Sequence, residues 1–157
     1  MRKIQLSQNF IVLVDDSDYD RVIKFKWYAK YDKRAKRWYV RRNKTKHQTY
    51  QMLHRFILDA PSNMQVDHIN NNPLDNRKEN LRLATNTQNS RNSVKPSNNS
   101  SGYKGVYWNK AAKKWHAQIR IDNGKRLYLG LFSDVKDAYT AYCEAAEKYH
   151  GEFKRLD

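Results

Sequence analysis

Residues 66–92 read VDHINNNPLDNRKENLRLATNTQNSRN, and the folding of this stretch decides how the rest of the chain is organised. An acid and a histidine stand side by side at Asp67 and His68; Asn80 follows Asp67 by 13 positions and Asn89 follows it by 22. Val66 to Ile69 is a short β-type run. Asn70-Asn71-Asn72-Pro73 and Asp75-Asn76 are turn formers, because their side chains bond the local backbone or fix φ. Leu81-Arg82-Leu83 alternates apolar and basic, the period of a half-buried strand. Thr85 and Gln88 form a capping box, so a helix is expected to begin there with Asn89 in its first turns. The order strand, loop, strand, helix is expected to bring Asp67, His68 and Asn89 together.

The residue types then speak to chemistry. A carboxylate and an amide oxygen are hard donors, suited to Mg²⁺ or Mn²⁺ rather than to a soft metal. A neutral imidazole beside them can take a proton from water near neutral pH. That is a minimal kit for metal-assisted phosphodiester hydrolysis. Composition alone leaves a plain polar loop, with Asp67 and His68 as turn residues, equally open.

Asp67-His68-Ile69-Asn70, Asn72, Asp75-Asn76-Arg77, Asn80-Leu81-Arg82 and Gln88-Asn89 resemble the HNH nuclease motif, in the form common among phage-borne and intron-encoded homing endonucleases. The match runs from Leu53 to Asn92. The resemblance implies a ββα-metal finger in which Asp67 and Asn89 hold one divalent metal per active site. It implies His68 as general base and Asn80 as the brace of the loop that aims the histidine. Many such enzymes end the motif on a histidine ligand, where this chain has Asn89. Just before the motif, Thr49 to Leu58 carries Met52, Leu53, Phe56 and Ile57 at helical spacing, so a short helix is expected beneath the finger. His54, on that helix, is read as a structural hydrogen-bonding partner and left outside the catalytic set.

Length and charge bound the partner. The chain has 157 residues, room for one ordinary domain or two to three small modules. Its formal charge is +15 and 13% of it is aromatic, a pairing that suits a polyanion better than disorder does. No apolar run spans a membrane and no leader pattern opens the chain, so neither a span nor a signal peptide is expected. Cys143 stands alone, which excludes an internal disulfide and a Cys-x-x-Cys zinc clip. A reducing intracellular, cytoplasmic setting follows, and the HNH resemblance implies a phage-encoded protein in a bacterial host.

Four segments are expected, in an α+β fold: a basic β-rich module (1–50), the nuclease motif (51–92), a linker (93–101) and a second DNA-binding module (102–157). Residues 1–50 hold 14 Lys and Arg against five Asp. Ile4 to Leu6 and Phe10 to Val14 read as short strands. A helical pattern starts at Asp15-Asp16-Ser17-Asp18, with Tyr19, Val22, Ile23 and Phe25 as apolar contacts. Trp27 to Tyr31 and Arg37 to Arg42 read as a hairpin turning through residues 32–36. Arg37 and Arg41 are candidate phosphate contacts; a solvated basic edge strand that resists aggregation is the other reading. The Ser- and Asn-rich linker, nine residues long, reaches about 30 Å when extended. That length matches roughly nine base pairs at about 3.4 Å each, and a tether with no DNA contact is equally open.

Lys104 to Trp108, Lys114 to Ile121 and Arg126 to Leu131 read as three strands, with Asp122-Asn123-Gly124 as the turn between the last two. A helix from about Asp134 to Tyr149, capped by Ser133 and closed by Gly151, carries an apolar stripe through Ala138, Tyr142, Ala145 and Ala146. Residues 102–131 carry seven Lys and Arg against Asp122, whereas residues 132–157 carry four against six acids. A basic sheet backed by an acidic helix is built to lay the sheet on DNA. Tyr103-Lys104-Gly105-Val106, Trp115 to Arg120, Tyr128-Leu129-Gly130, Phe132 and Ala138-Tyr139 with Ala141-Tyr142 resemble an AP2 DNA-binding domain. That resemblance implies a sheet entering the major groove of double-stranded DNA, with Lys104, Tyr107, Asn109, Gln118, Arg120, Arg126 and Tyr128 as its contacts. The whole reads as a site-directed DNA endonuclease of homing type, nicking or cutting both strands. The alternative is a DNA-binding regulator with an inactive nuclease site. Monomer and homodimer both stay open.

Overall fold

Alternation at Val12, Leu13 and Val14 turns Val12 and Val14 inward, both fully buried, and builds the first hairpin from β1 (Arg2–Gln5) and β2 (Ile11–Val14). This is a computed structural model, which describes residues 1–33, 36–43, 50–96 and 98–156. The chain divides into two compact units, Met1–Thr85 and Asn86–Asp157. Both mix helix with small antiparallel sheets, as the sequence leads one to expect.

In the first unit, α1 (Asp16–Val22) follows β2 with Asp16 and Asp18 in its first turn, where the helix dipole favours negative charge. Val22 is buried and Phe25, though partly open to solvent, meets the Trp27 and Phe56 rings edge-on, but Ile23, expected as an apolar contact, is exposed. The helix ends at Val22, and Trp27 takes the core position instead, its Nε1–H donating to Val22 O at 2.8 Å. β3 (Tyr28–Asp32) and β4 (Arg37–Arg42) form the expected hairpin; residues 34 and 35 of its turn lie outside the described residues.

The helix expected over 49–58 is shorter. Gln51 and Met52 form β5 (Gln51–Met52), paired with Arg42 and Arg41, and only α2 (Leu53–Ile57) is helical. The ladder satisfies the backbone of residues 51 and 52, so the helical stripe starts at Leu53; Thr49 lies outside the described residues. β6 (Gln65–His68) then pairs with β7 (Leu81–Ala84), and a 3-10 turn (Lys78–Asn80) enters β7. Val12, Val22, Trp27, Val40, Leu53 and Val66 belong to a single core, with residues on both sides of position 50.

The second unit opens with α3 (Asn86–Arg91), beginning where the capping box predicts. β8 (Val106–Asn109), β9 (Lys114–Arg120) and β10 (Arg126–Phe132) form an antiparallel sheet in the order β10-β9-β8. Its inner face packs Ile119, Ala117 and Val106 on Ala138, Tyr142 and Ala146 of α4 (Val135–His150). Asp134, not Ser133, caps α4: its carboxylate accepts from Lys136 N at 2.6 Å. Gly105 sits at φ +76°, where an added methyl would overlap the Tyr142 ring and come within 2.7 Å of Gln118 O. Just before the sheet, Asn99 Nδ2 donates to Tyr103 O (2.8 Å) and Ser101 Oγ to Val106 O (2.8 Å). Among the described residues no helix is long and apolar enough to cross a membrane.

Candidate active site and nucleic-acid interface

Strand β6 carries Asp67 and His68 as consecutive residues, and both are buried although strand alternation alone would turn one outward. Asn76 of the loop after the strand lies against His68, and Arg82 of the paired strand meets Asp67. That loop is held by Asn80. Its Oδ1 accepts from Asn70 N (2.9 Å), its Nδ2 donates to Asp75 O (2.8 Å), and its own carbonyl accepts from Ile69 N (2.9 Å). One amide side chain thus ties the start of the loop to its end.

β2 grips the same loop from the other side. Leu13 N donates to Leu74 O and Leu13 O accepts from Asn76 N, each at 2.8 Å. Asp15 Oδ2 accepts from Lys78 N at 2.7 Å, and Lys78 Nζ reaches the buried Asp18 carboxylate at 2.8 Å. Nothing in the composition of residues 1–18 announces this bracing.

Asn76, 1% exposed, stands over the imidazole: its Nδ2 donates to Pro73 O (3.0 Å), and its Oδ1 lies 3.4 Å from His68 Nε2. With the amide nitrogen committed to Pro73, the oxygen faces the ring and favours the tautomer carrying its proton on Nε2. Burial lowers the His68 pKa below the ordinary imidazole value, opposed by Asn76 and by the Asp67 and Asp75 carboxylates. His68 is therefore neutral at neutral pH, the state a general base requires. His54, set aside on sequence, lies against it, ring centroids 5.1 Å apart and edge to face. Burial, then His68 and Arg55, pushes the His54 pKa down to about 3.

Asp67 faces Arg82 directly across the β6-β7 ladder. The guanidinium meets one carboxylate oxygen through Nε and Nη2, both at 2.8 Å, with the two side chains 5% and 12% exposed. This register partner is the functional neighbour that the alternating Leu81-Arg82-Leu83 pattern hides. It also bears on whether the residues fit a cation: the guanidinium occupies one carboxylate oxygen, Oδ2, and a bound cation would have to share the carboxylate with it. Among the described residues no group of three His, Cys, Asp or Glu side chains is arranged to hold a metal ion. An oxygen-donor set of one carboxylate plus amide suits a hard cation that keeps several waters. Of the four expected site residues, the first unit holds Asp67, His68 and Asn80 together, and Asn89 stands on α3 of the second.

The sheet of the second unit presents Tyr107, His116, Tyr128, Arg120 and Arg126 on its open face. Tyr107 and His116 stack at 4.5 Å, with Tyr107 Oη 3.0 Å from His116 Nδ1, and Tyr128 meets His116 edge-on. Arg120 and Arg126 are exposed register partners on β9 and β10. Asn109 accepts from Ala112 N (3.0 Å) and shapes the β8-β9 turn. Gln118 lines a cavity of about 340 Å³. Lys104 does not stand free on the face: its Nζ donates to Arg91 O (2.6 Å) and Ser93 O (2.7 Å). On β4, the Arg41 guanidinium lies over the Tyr28 and Tyr50 rings, and Arg37 is half-buried.

Comparison with known proteins agrees with this anatomy. Residues 59–91 match the HNH endonuclease family and residues 101–152 match the AP2 domain. Protein 3.8 of Escherichia phage T7 is 30% identical over 96 residues, which cover 61% of this chain and 78% of the phage protein. An uncharacterized HNH endonuclease of Acanthamoeba polyphaga mimivirus is 33% identical over 135 residues, 84% of this chain and 66% of that protein. Dehydration-responsive element-binding protein 2C of Arabidopsis thaliana is 43% identical over 63 residues, 40% of this chain and only 18% of the plant protein. No solved structure matches the chain. With the nuclease motif on a braced, buried Asp-His step and an AP2-type sheet on its helix, the chain belongs to the HNH endonuclease family and joins that motif to an AP2 domain.

Proposed function

We propose that the chain is a site-directed DNA endonuclease of homing type, which finds double-stranded DNA with its sheet module and hydrolyses a phosphodiester bond with the Asp67–His68 centre. The observation that carries this reading is the buried His68 beside Asp67, at the end of β6 where it enters a loop that Asn80 ties at both ends. A surface turn would not need such bracing. His68 takes the proton of the attacking water, on the side of the phosphorus opposite the leaving oxygen. Asn80 keeps the imidazole aimed by fixing its loop, and Asn76 holds the ring in one tautomer. Asp67 and Asn89 would hold one Mg²⁺ or Mn²⁺, which polarises a phosphate oxygen and neutralises charge on the departing 3′ oxygen. The ends left are 5′-phosphate and 3′-hydroxyl.

Tyr107, Asn109, Gln118, Arg120, Arg126 and Tyr128 are the proposed base and phosphate contacts of the sheet, with Arg37 and Arg41 adding backbone contacts from β4. One finger per chain cuts one strand per visit; cutting both needs a homodimer or a second visit. The similarity to a phage protein supports an intracellular setting.

The rival reading, a DNA-binding regulator with a silent nuclease site, draws on the Arg82 clasp of Asp67. Supercoiled plasmid incubated with protein and Mg²⁺ separates the two. The unaltered chain is expected to relax or linearise the plasmid, and His68→Ala and Asp67→Ala to leave it supercoiled while still binding duplex. If all three bind and none cuts, the regulator reading stands and the endonuclease reading falls.

A further inference from the structure

α3 is six residues long and none of its residues is buried. A helix of that length has too few hydrogen bonds to be stable by itself, and tertiary contacts must hold it. α3 borders a cavity of about 340 Å³ lined by Thr87, Ser90 and Arg91 of this helix and by Tyr142 and His150 of α4. Two side-chain fastenings from the sheet module sit at its carboxyl end. Lys104 Nζ donates to Arg91 O at 2.6 Å, a carbonyl that the ending helix leaves without an intrahelical partner, and to Ser93 O at 2.7 Å just beyond it. The ammonium also complements the negative end of the helix dipole. Arg91, its side chain 10% exposed, donates from Nη2 to Asp122 Oδ1 at 2.6 Å. Lys104 stands two residues before β8, and Asp122 lies in the 3-10 turn (Asp122–Gly124) between β9 and β10, so both fastenings are anchored to the sheet.

We infer that Lys104 and the Arg91–Asp122 pair are positioning residues for Asn89: they clamp α3 to the sheet module and so set where the Asn89 amide points. This rests on the reading of Asn89 as a metal ligand. It gives Lys104 a different task from the phosphate contact implied by the AP2 resemblance, because its ammonium is already spent on main-chain carbonyls. A phosphate could recruit it only by releasing the end of the helix.

The test uses the full chain and two readouts, Mn²⁺ affinity by titration without DNA and duplex affinity across a salt series. Lys104→Met is expected to weaken Mn²⁺ binding about tenfold, the size usual for a residue that orients a ligand. Lys104→Arg, which keeps donors at that reach, should restore most of the loss. The salt slope for duplex should stay unchanged in Lys104→Met; a phosphate contact would flatten it by about 0.9. Asp122→Ala removes the acceptor of the second fastening from an exposed side and should also weaken Mn²⁺ binding, which keeps the test alive if Lys104→Met does not fold. Unchanged Mn²⁺ affinity in both variants, or a flattened slope in Lys104→Met, overturns the inference. Asn89→Ala separates the layers: if it binds Mn²⁺ as well as the unaltered chain, the ligand assignment fails. If it loses the metal while the clamp variants keep it, only the clamp fails.

Discussion

His54 and His68 are two neutral rings in one buried site, and acid must eventually charge both. The His54 pKa, pushed down to about 3, lies below its unfolded value near 6.5. Between those values the unfolded chain binds a proton that the folded chain refuses, so stability is full above the upper value and falls as pH drops. The loss is at most about 1.4 kcal/mol per pH unit for this group. Denaturant unfolding at pH 7 and pH 5 should therefore show a smaller difference in His54→Phe than in the unaltered chain; equal differences would remove His54 from the account. His68 is also lowered, so the rate of plasmid cutting should hold its plateau below the ordinary imidazole pKa and fall only at more acid pH. A midpoint above 6.5 would mean that another group titrates. Arg82→Gln leaves a buried carboxylate without its cation, at a cost of about 3 kcal/mol. It should also raise Mn²⁺ affinity, so added metal should lift the melting temperature more than in the unaltered chain. A weaker metal site in this variant would show that Arg82 helps the cation rather than competing with it. Asp67, His68 and Asn80 were legible as a motif; Arg82 and His54 were not, because strand register and the packing of α2 under β6 decide what they touch.

At the level of the element, the legible parts are those whose own backbone chemistry decides them. The β3-β4 and β9-β10 hairpins, the start of α3 at its capping box and the end of α4 at Gly151 all follow from local residue types. Residues 49–58 misled because Met52 fits the helical spacing of Leu53, Phe56 and Ile57, yet β4 offers Gln51 and Met52 a ladder. The α4 cap moved one residue because Ser133 and Asp134 are both good caps, and the carboxylate reaches Lys136 N. Among the glycines of the second unit, Gly105 is the most tightly enclosed. Gly105→Ala combines a left-handed φ with a methyl driven into Tyr142, and should cost about 3 kcal/mol or more. Circular dichroism melting of the full chain would read that loss; an unshifted transition would mean that the strand slides aside freely.

For the molecule as a whole, charge is the property that composition reveals best and structure refines most. A chain of +15 should lose DNA affinity steeply with salt, and Arg120→Ala with Arg126→Ala should flatten the slope by nearly two if both arginines meet phosphates. An unchanged slope would place the duplex elsewhere. The division at Thr85 and Asn86 adds something the motif alone conceals. By motif, the final asparagine belongs with the hairpin of Asp67 and His68; by fold, it rides with the sheet, fastened through Lys104 and Asp122. A chimera that fused this sheet to another nuclease's hairpin would have its seam just after β7, and it would import its own asparagine. Exchange of recognition modules, in the laboratory or in a phage genome, would then carry part of the cutting apparatus along with the address.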